Sequence, residues 1–506
     1  MMSNTAFKTY AQENGGRVLL LLLLFSLALY QLITSGITGF ALICLIPALI
    51  IFVYLAFKYR MFVFWILCVV NYLIFFREIP LPPLPQSLYN ELLEIILLAI
   101  AIIDVKETRF DRLGNFMFFI LIIWCGFCTL EVLNDTSGMG IQWASWYAGA
   151  RKIGFQIMYA FLVFSLYITT PKILSKYLVL WGGLTLFAVI WLWKQKYIGF
   201  TVEERSFLEL HRNTHVLQGG TLIRYFSIYS DAAAFGIGMA STAVAFLIFA
   251  ITSKIKKYKI FFGIVGMLSV WAMFPSGTRT AMACLFAGIF VYVFLSKSIK
   301  LAIPITLLGI LAYIFLAFTT IGNGNAQIRR MRTTFDRSDA SANVRTINQE
   351  AMRKYLQDAP WGMGIGNTFE NVPANNKFRK LSTIPPDSEY VWIWVHTGII
   401  GITVFAISMI IMWLGACWIV MFKLTSPSLI GIGGGLCSAF VAIQLGAYGN
   451  QVLFQYPNGL TFFGGLAIVY TLPYIETEWI EYEQKRLAIQ EEKKRLKIEK
   501  KLAKRV

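Results

Sequence analysis

Three arginines and one aspartate, three of them at the mouths of apolar runs and one inside a long polar loop, are the side chains best suited to chemistry here. Arg224 opens the stretch Arg224-Tyr-Phe-Ser-Ile-Tyr229-Ser-Asp-Ala-Ala-Ala-Phe-Gly236. A guanidinium at the level where water ends can hold phosphate oxygens through two parallel hydrogen bonds. It can equally be an interfacial arginine that snorkels to water. Arg279 lies in the tight turn Ser276-Gly-Thr-Arg279-Thr280, and Arg345 precedes a helical pattern inside a long polar loop. Two cations at one face clamp a pyrophosphate better than either alone, and anchoring of a helix end is the plainer role for Arg279. Asp387, followed by Ser388 and Glu389, ends that loop. A carboxylate held near arginines stays ionised and can accept or orient the proton of a sugar hydroxyl. It also suits the N-cap of the helix expected from about Val391. Tyr229 and Glu389 are expected to contact substrate beside these groups.

Other polar groups carry less. His211 and His215 are four apart, as on one helical face, but zinc needs further ligands and none is evident; no metal and no cofactor is expected. Cys125-Gly-Phe-Cys128 has redox-like spacing, yet it sits inside an apolar run and reads as packing. His396, at the start of another run, reads as a helix contact. The run Gly362-Met-Gly364-Ile-Gly366 lacks the strand and acidic partner of a dinucleotide fold, which leaves close backbone approach or a hinge. Glu91, Glu94 and Glu131 lie in or near apolar runs, where ionisable groups are costly and usually functional. They keep a transporter possible.

The elements that must hold these groups are membrane helices. The chain has 506 residues, 57% hydrophobic and 14% charged, with a mean hydropathy of +0.63. Soluble proteins average roughly 25% charged residues. Apolar runs of helix length recur from end to end without the alternation of a membrane barrel, so the expected class is an all-α polytopic membrane protein with about 14 spans. The expected organisation is a membrane domain over 1–475 and a charged helical tail over 476–506. The seven cysteines lie within or at the edges of apolar runs, so no disulfide framework is implied. Net charge is +18. Clusters at Lys58 and Arg60, Lys106 to Arg112, Lys172 and Lys176, Lys254 to Lys259, Lys297, Lys300 and Lys423 fall in alternate turns with the basic tail. The positive-inside rule makes that side cytoplasmic, with both termini, and puts loops 194–230 and 322–388 outside. The tail is then a solvated helix, or one that docks on anionic headgroups. The longer loop has ten Lys and Arg against six Asp and Glu. Within it, Ile347, Ala351, Met352 and Tyr355 recur at helical spacing, as in an amphipathic helix. Nucleic-acid binding is not expected, since few aromatics lie outside the runs.

In order along residues 220 to 420, these stretches resemble the O-antigen ligase and O-antigen polymerase superfamily of bacterial envelope glycan enzymes. The Arg224 segment, the Arg279 turn, Arg345 with its helix and Ala359-Pro-Trp-Gly-Met-Gly364, and Asp387-Ser-Glu-Tyr-Val391 with His396-Thr-Gly398-Ile-Ile-Gly401 carry the resemblance. It implies a metal-independent GT-C-like glycosyltransferase in the bacterial inner membrane. The implied donor is a glycan on undecaprenyl pyrophosphate, and the acceptor another glycan or lipid A-core, with envelope-assembly proteins as further partners. It implies that Arg224 and Arg279, and Arg345 as a third, bind diphosphate. Ligases of the family usually carry His-Asn where this chain has Asp387-Ser388, which leans the assignment towards polymerisation. A flippase for the same lipid and a non-enzymatic scaffold are the competing classes.

Overall fold

The computed structural model describes residues 15–79, 85–217, 220, 222–297, 299–332 and 340–502. Helices dominate because hydrocarbon offers no partner for backbone amides, so each segment must satisfy its own. The chain divides into two compact units, residues 1–65 and 66–506. The first holds α1 (Gly15–Lys58), and α2 (Arg60–Leu73) leads out of it. Two apolar runs of the sequence, 18–34 and 37–57, lie in this one helix, interrupted at Gly36, whose φ is 65°.

In the second unit, α3 (Gln86–Ile103) and α4 (Phe116–Leu130) precede α5 (Trp143–Ala150). A π turn over Arg151–Phe155 joins α5 to α6 (Gln156–Tyr167). Local signals start the helices where they begin. Asn115 accepts from Phe118 N ahead of α4, and Thr170 accepts from Ile173 N ahead of α7 (Pro171–Tyr197), with proline in the first turn. The 194–230 loop is itself folded, with α8 (Val202–Leu210), α9 (Arg212–His215) and strands β1 (Val216–Leu217) and β2 (Leu222–Ile223). The strands pair antiparallel, Val216 opposite Ile223. A reciprocal capping box between Thr201 and Glu204 starts α8.

Next come α10 (Ala232–Thr252), α11 (Lys256–Met273), α12 (Arg279–Ser296) and α13 (Ile299–Phe318). Helix α10 is buried along nearly its whole length, as expected of a helix that is apolar on every face. After α14 (Ala326–Arg332), α15 (Ala340–Leu356) and α16 (Glu389–Trp418), helix α17 (Pro427–Gly449) packs against α10 through small residues. Its Gly431, Gly435 and Gly446 face Thr252, Phe249 and Ile237, where a Cβ would leave no room. Among the described residues, eight helices are long and apolar enough to cross a membrane, or up to nine when a bent pair counts as one span. Two of the expected spans fall on shorter helices, α2 with 14 residues and α6 with 12.

The final helix, α18, runs from Asn458 to Leu502 without a break at 475. The expected tail is therefore a continuation of the last span, and its first turns are docked. The Glu476 carboxylate accepts from Thr425 N and Ser426 N, both at 2.7 Å. Trp479 donates to Ser428 at 2.9 Å, and Glu483 pairs with Lys254 at 3.2 Å.

Candidate functional site

Chain alternation brings Arg224, Arg279 and Asp387 to one end of the bundle and Lys254, Lys297, Lys423 and the tail to the other. Helices α10, α12 and α16 start at the first end, and two of them start behind a side-chain cap. Asp231 caps α10, accepting from Ala233 N at 2.6 Å and Ala234 N at 2.9 Å. Thr278 precedes α12, and Ser388 caps α16 by accepting from Val391 N at 3.1 Å. The cap of α16 is thus Ser388 and not Asp387, because the hydroxyl one residue later has the reach to Val391 N. The Asp387 carboxylate is spared that duty.

Arg224 is pinned at three points. Its Nε donates to Ser276 O at 3.0 Å, one terminal nitrogen to Thr214 O at 2.9 Å and the other to Thr278 Oγ1 at 3.0 Å. Two of these bonds tie the residue after β2 to the 276–278 turn, and the third ties it to α9. Gly277 makes the approach possible: its φ is 59°, and a Cβ there would lie 3.1 Å from Arg224 Cγ. A guanidinium has five N–H donors, and partners among the described residues take three. Burial lowers the Arg224 pKa to about 10; Asp231 opposes that shift, and the charges of Arg330, Arg279 and Arg345 add to it. The group remains a cation at neutral pH, held in a gathering of like charges that an anion would relieve.

Arg279 begins α12, half-buried, one residue after Thr278. Arg345 lies on α15, three residues before Asn348, and so on the same helical face. Asn348 Nδ2 donates to Asp387 Oδ2 at 3.3 Å. This contact joins the Asp387 turn to the Arg345 helix. Tyr229 is 1% exposed, with its ring edge-on to Tyr72 and Phe235, so it packs the base of the site rather than facing its opening. Glu389 is also buried, at 0% exposure, and points inward to Lys152 Nζ at 3.1 Å and Leu453 N at 3.3 Å. Both side chains expected to touch substrate are occupied within the protein.

The long loop is rooted in a break of α16. At Gly398 the backbone turns left-handed, with φ of 65°, inside the helix. The Val395 and His396 carbonyls accept from Met363 N at 3.0 Å and Gly364 N at 3.1 Å, and Ile400 N donates to Pro360 O at 3.2 Å. A Cβ on Gly398 would lie 2.0 Å from Pro360 O. Of the two roles open to the glycine run, close backbone approach is the one observed. His396 is a contact residue, bonded through Nε2 to Asn367 O at 2.9 Å. Met352, Leu356, Ala359, Met363, Val372, Phe378 and Leu381 form a small apolar core over Val395. The amphipathic helix turns Met352 and Leu356 into that core, whereas Ile347 is 63% exposed.

Several contributors escaped the sequence. The charge of Arg330 on α14 acts on Arg224, and only the local Arg329-Arg330-Met-Arg332 cluster hinted at it. Arg77 stacks over Phe207 at 3.7 Å and donates to Tyr229 O and Ser230 O, at 3.3 and 3.1 Å, ahead of the Asp231 cap. The paired histidines contact Phe207, and the His215 ring also contacts Phe226. Glu91 is paired with Arg151 at 3.3 Å, and Glu131 accepts from Asn134 at 2.8 Å.

The molecule is therefore a multi-pass helical membrane protein with a cationic site at one end of its bundle. Residues 264–406 match the family model described as O-antigen ligase, which shows the resemblance to the O-antigen ligase and polymerase superfamily over that stretch. The match takes in Arg279, Arg330, Arg345 and Asp387. No curated protein matches the chain.

Proposed function

We propose that the chain transfers a glycan from a polyprenyl diphosphate to a sugar hydroxyl, at the outer face of the bacterial inner membrane. The observation that carries this reading is the convergence of Arg224, Arg279, Arg330 and Arg345 on one end of the bundle, opposite a carboxylate left free of capping. Guanidinium groups fixed before the reaction stabilise charge that builds on a leaving diphosphate without reorganising. Asp387 receives the acceptor hydroxyl proton. The acceptor oxygen then bonds to the anomeric carbon as the bond from that carbon to the diphosphate oxygen breaks, with inversion. The electron pair leaves on the diphosphate, which the arginines hold. The residues need no metal for these steps, since the cations are supplied by side chains. Aspartate in place of the His-Asn pair favours lengthening of a glycan over its transfer to lipid A-core.

Arg224→Ala, Arg279→Ala and Asp387→Ala test the proposal through gel analysis of surface glycan in cells making each variant. Removal of one such donor costs on the order of 10²–10³ in rate, so long-chain glycan should fall sharply in each. Wild-type glycan in all three, at normal protein levels, rejects the assignment. A flippase would instead tolerate these changes and fail on loss of Glu91 or Glu94.

A further inference from the structure

The segment between α17 and α18, residues 450–458, lies outside the stretch that matches the family model, yet it grips the flanks of the site. Asn450 Nδ2 donates to Thr280 Oγ1 at 3.4 Å, on the residue after Arg279. Gln451 Nε2 donates to Pro386 O, on the residue before Asp387. Leu453 N donates to the Glu389 carboxylate at 3.3 Å, two residues beyond Asp387. Asn458 Nδ2 donates to Ala234 O at 3.1 Å, in the first turn of α10 behind Asp231. Six residues before Asn450, on α17, Gln444 accepts from Tyr390 OH at 2.7 Å. One short segment therefore reaches the starts of α10, α12 and α16, the three helices whose mouths carry the charged groups.

Its hold on the Asp387 turn comes from both sides. Pro386 O and the Glu389 carboxylate are each bonded to residues 451–453, and Lys152 balances the Glu389 charge from the π turn at 3.1 Å. A π turn inside a helix often marks a functional site. Pro386 has no N–H of its own, so its carbonyl is the one polar backbone group that this residue offers. Gln451 is half-buried and its amide is spent on that carbonyl.

We infer that Gln451 is a positioning residue: it holds the Asp387 turn through Pro386 O while its neighbour Asn450 holds Thr280 beside Arg279, and the pair so sets where the acceptor proton is received relative to the departing diphosphate. The inference rests on the glycosyl-transfer reading above. It extends the working site to a residue near neither arginine nor aspartate in sequence. Misplacement of a reacting group by about 1 Å can cost on the order of 10²-fold in rate.

The test uses the full chain in detergent, with a polyprenyl-diphosphate oligosaccharide extracted from cells lacking this chain as donor. Gln451→Leu keeps the bulk and removes the donor. It should lower kcat at least about tenfold and leave KM for the lipid donor within about twofold, because only the proton-accepting side is displaced. Gln451→Glu keeps the shape and donates only when protonated. Its rate relative to wild type should therefore climb as pH falls from about 7 towards the ordinary glutamate range near 4.3. A purely structural role for Gln451 has no reason to produce that pH-dependent rescue. The inference is overturned by a wild-type kcat in Gln451→Leu, or by a Gln451→Glu to wild-type ratio that is flat with pH. If Gln451→Leu does not fold, the Gln451→Glu ratio decides alone. Asp387→Ala in parallel separates the two levels: a wild-type rate there removes the transfer reading itself, whereas an inactive Asp387→Ala beside a fully active Gln451→Leu removes only the brace.

Discussion

At the scale of single residues, Arg224 is the centre of the proposed site because it is fixed in place, with Asp231 and three other arginines acting on its charge in opposite directions. Three hydrogen bonds orient its plane, and three other arginines press on its charge. Lysine has one compact ammonium and cannot reproduce a fork with three fixed contacts. Arg224→Lys should therefore lose activity nearly as fully as Arg224→Ala, in the same surface-glycan assay; a lysine variant near wild type would mean that charge alone suffices. His215 gives a pH prediction. Burial first, and then the Arg224 charge, lower its pKa to about 4. The unfolded value is near 6.5, so between these limits the unfolded chain binds the extra proton. Stability is at its full value above about pH 6.5 and falls as pH drops towards 4. The ring sits against Phe207 and Phe226, and the His215 carbonyl accepts from Arg224 N at 2.8 Å. Thermal melts of His215→Phe should lose part of the acid slope between pH 6.5 and 4 that wild type shows.

At the scale of elements, the long loop is held by a broken helix, and the tail by the loops it crosses. Gly398→Ala forces a Cβ towards Pro360 O at a left-handed backbone position. Each such strain costs on the order of 1–3 kcal/mol. Limited proteolysis should cut the 340–388 region faster in that variant, with the spans unaffected; wild-type resistance would contradict the docking described. For the tail, removal of residues 491–506 should leave the melting temperature within a few degrees. Removal from 476 onward strips the contacts of Glu476, Trp479 and Glu483, and should lower it clearly. The sequence showed the tail as a charged helix but not its docking, because the partners of Glu476 are backbone N–H groups some 50 residues away. The glycine run was legible as a special backbone and not as a clamp, because its partner is a break inside an apolar helix that reads as continuous. Asp387 was legible as a carboxylate at a helix mouth. That Ser388 takes over the cap is a matter of reach, settled only by three-dimensional geometry.

At the scale of the whole molecule, composition alone foretold a helical membrane protein, since polar depletion and apolar run length are properties of the chain itself. The number of spans was less legible: the two runs on either side of Gly36 lie in one helix, and the runs at 61–76 and 153–170 fall on helices of only 14 and 12 residues. Lys254, Lys297, Lys423 and the tail lie at the end of the bundle away from Arg224, and the proposed function takes that end as cytoplasmic on the positive-inside rule. Single cysteines at positions 353 and 490 check this. The first should react with a membrane-impermeant maleimide in intact spheroplasts, and the second only after permeabilisation; the reverse pattern would invert the proposed topology. Membership of the site is likewise a whole-molecule property. Arg224, Arg279 and Asp387 stood out because each lies at the mouth of an apolar run. Arg330, Lys152 and Gln451 did not, because their importance comes from which helix ends the bundle brings together.

The central claim is that the arginine gathering is a diphosphate site, and direct binding tests it most simply. Farnesyl diphosphate titrated into the purified full chain, followed by calorimetry, presents the diphosphate with a short prenyl chain and no sugar. The account predicts saturable binding that weakens at least tenfold, about 1.4 kcal/mol, in Arg224→Ala and in Arg279→Ala, with farnesyl monophosphate bound more weakly than the diphosphate. Equal affinity of wild type and both variants for the diphosphate would contradict it.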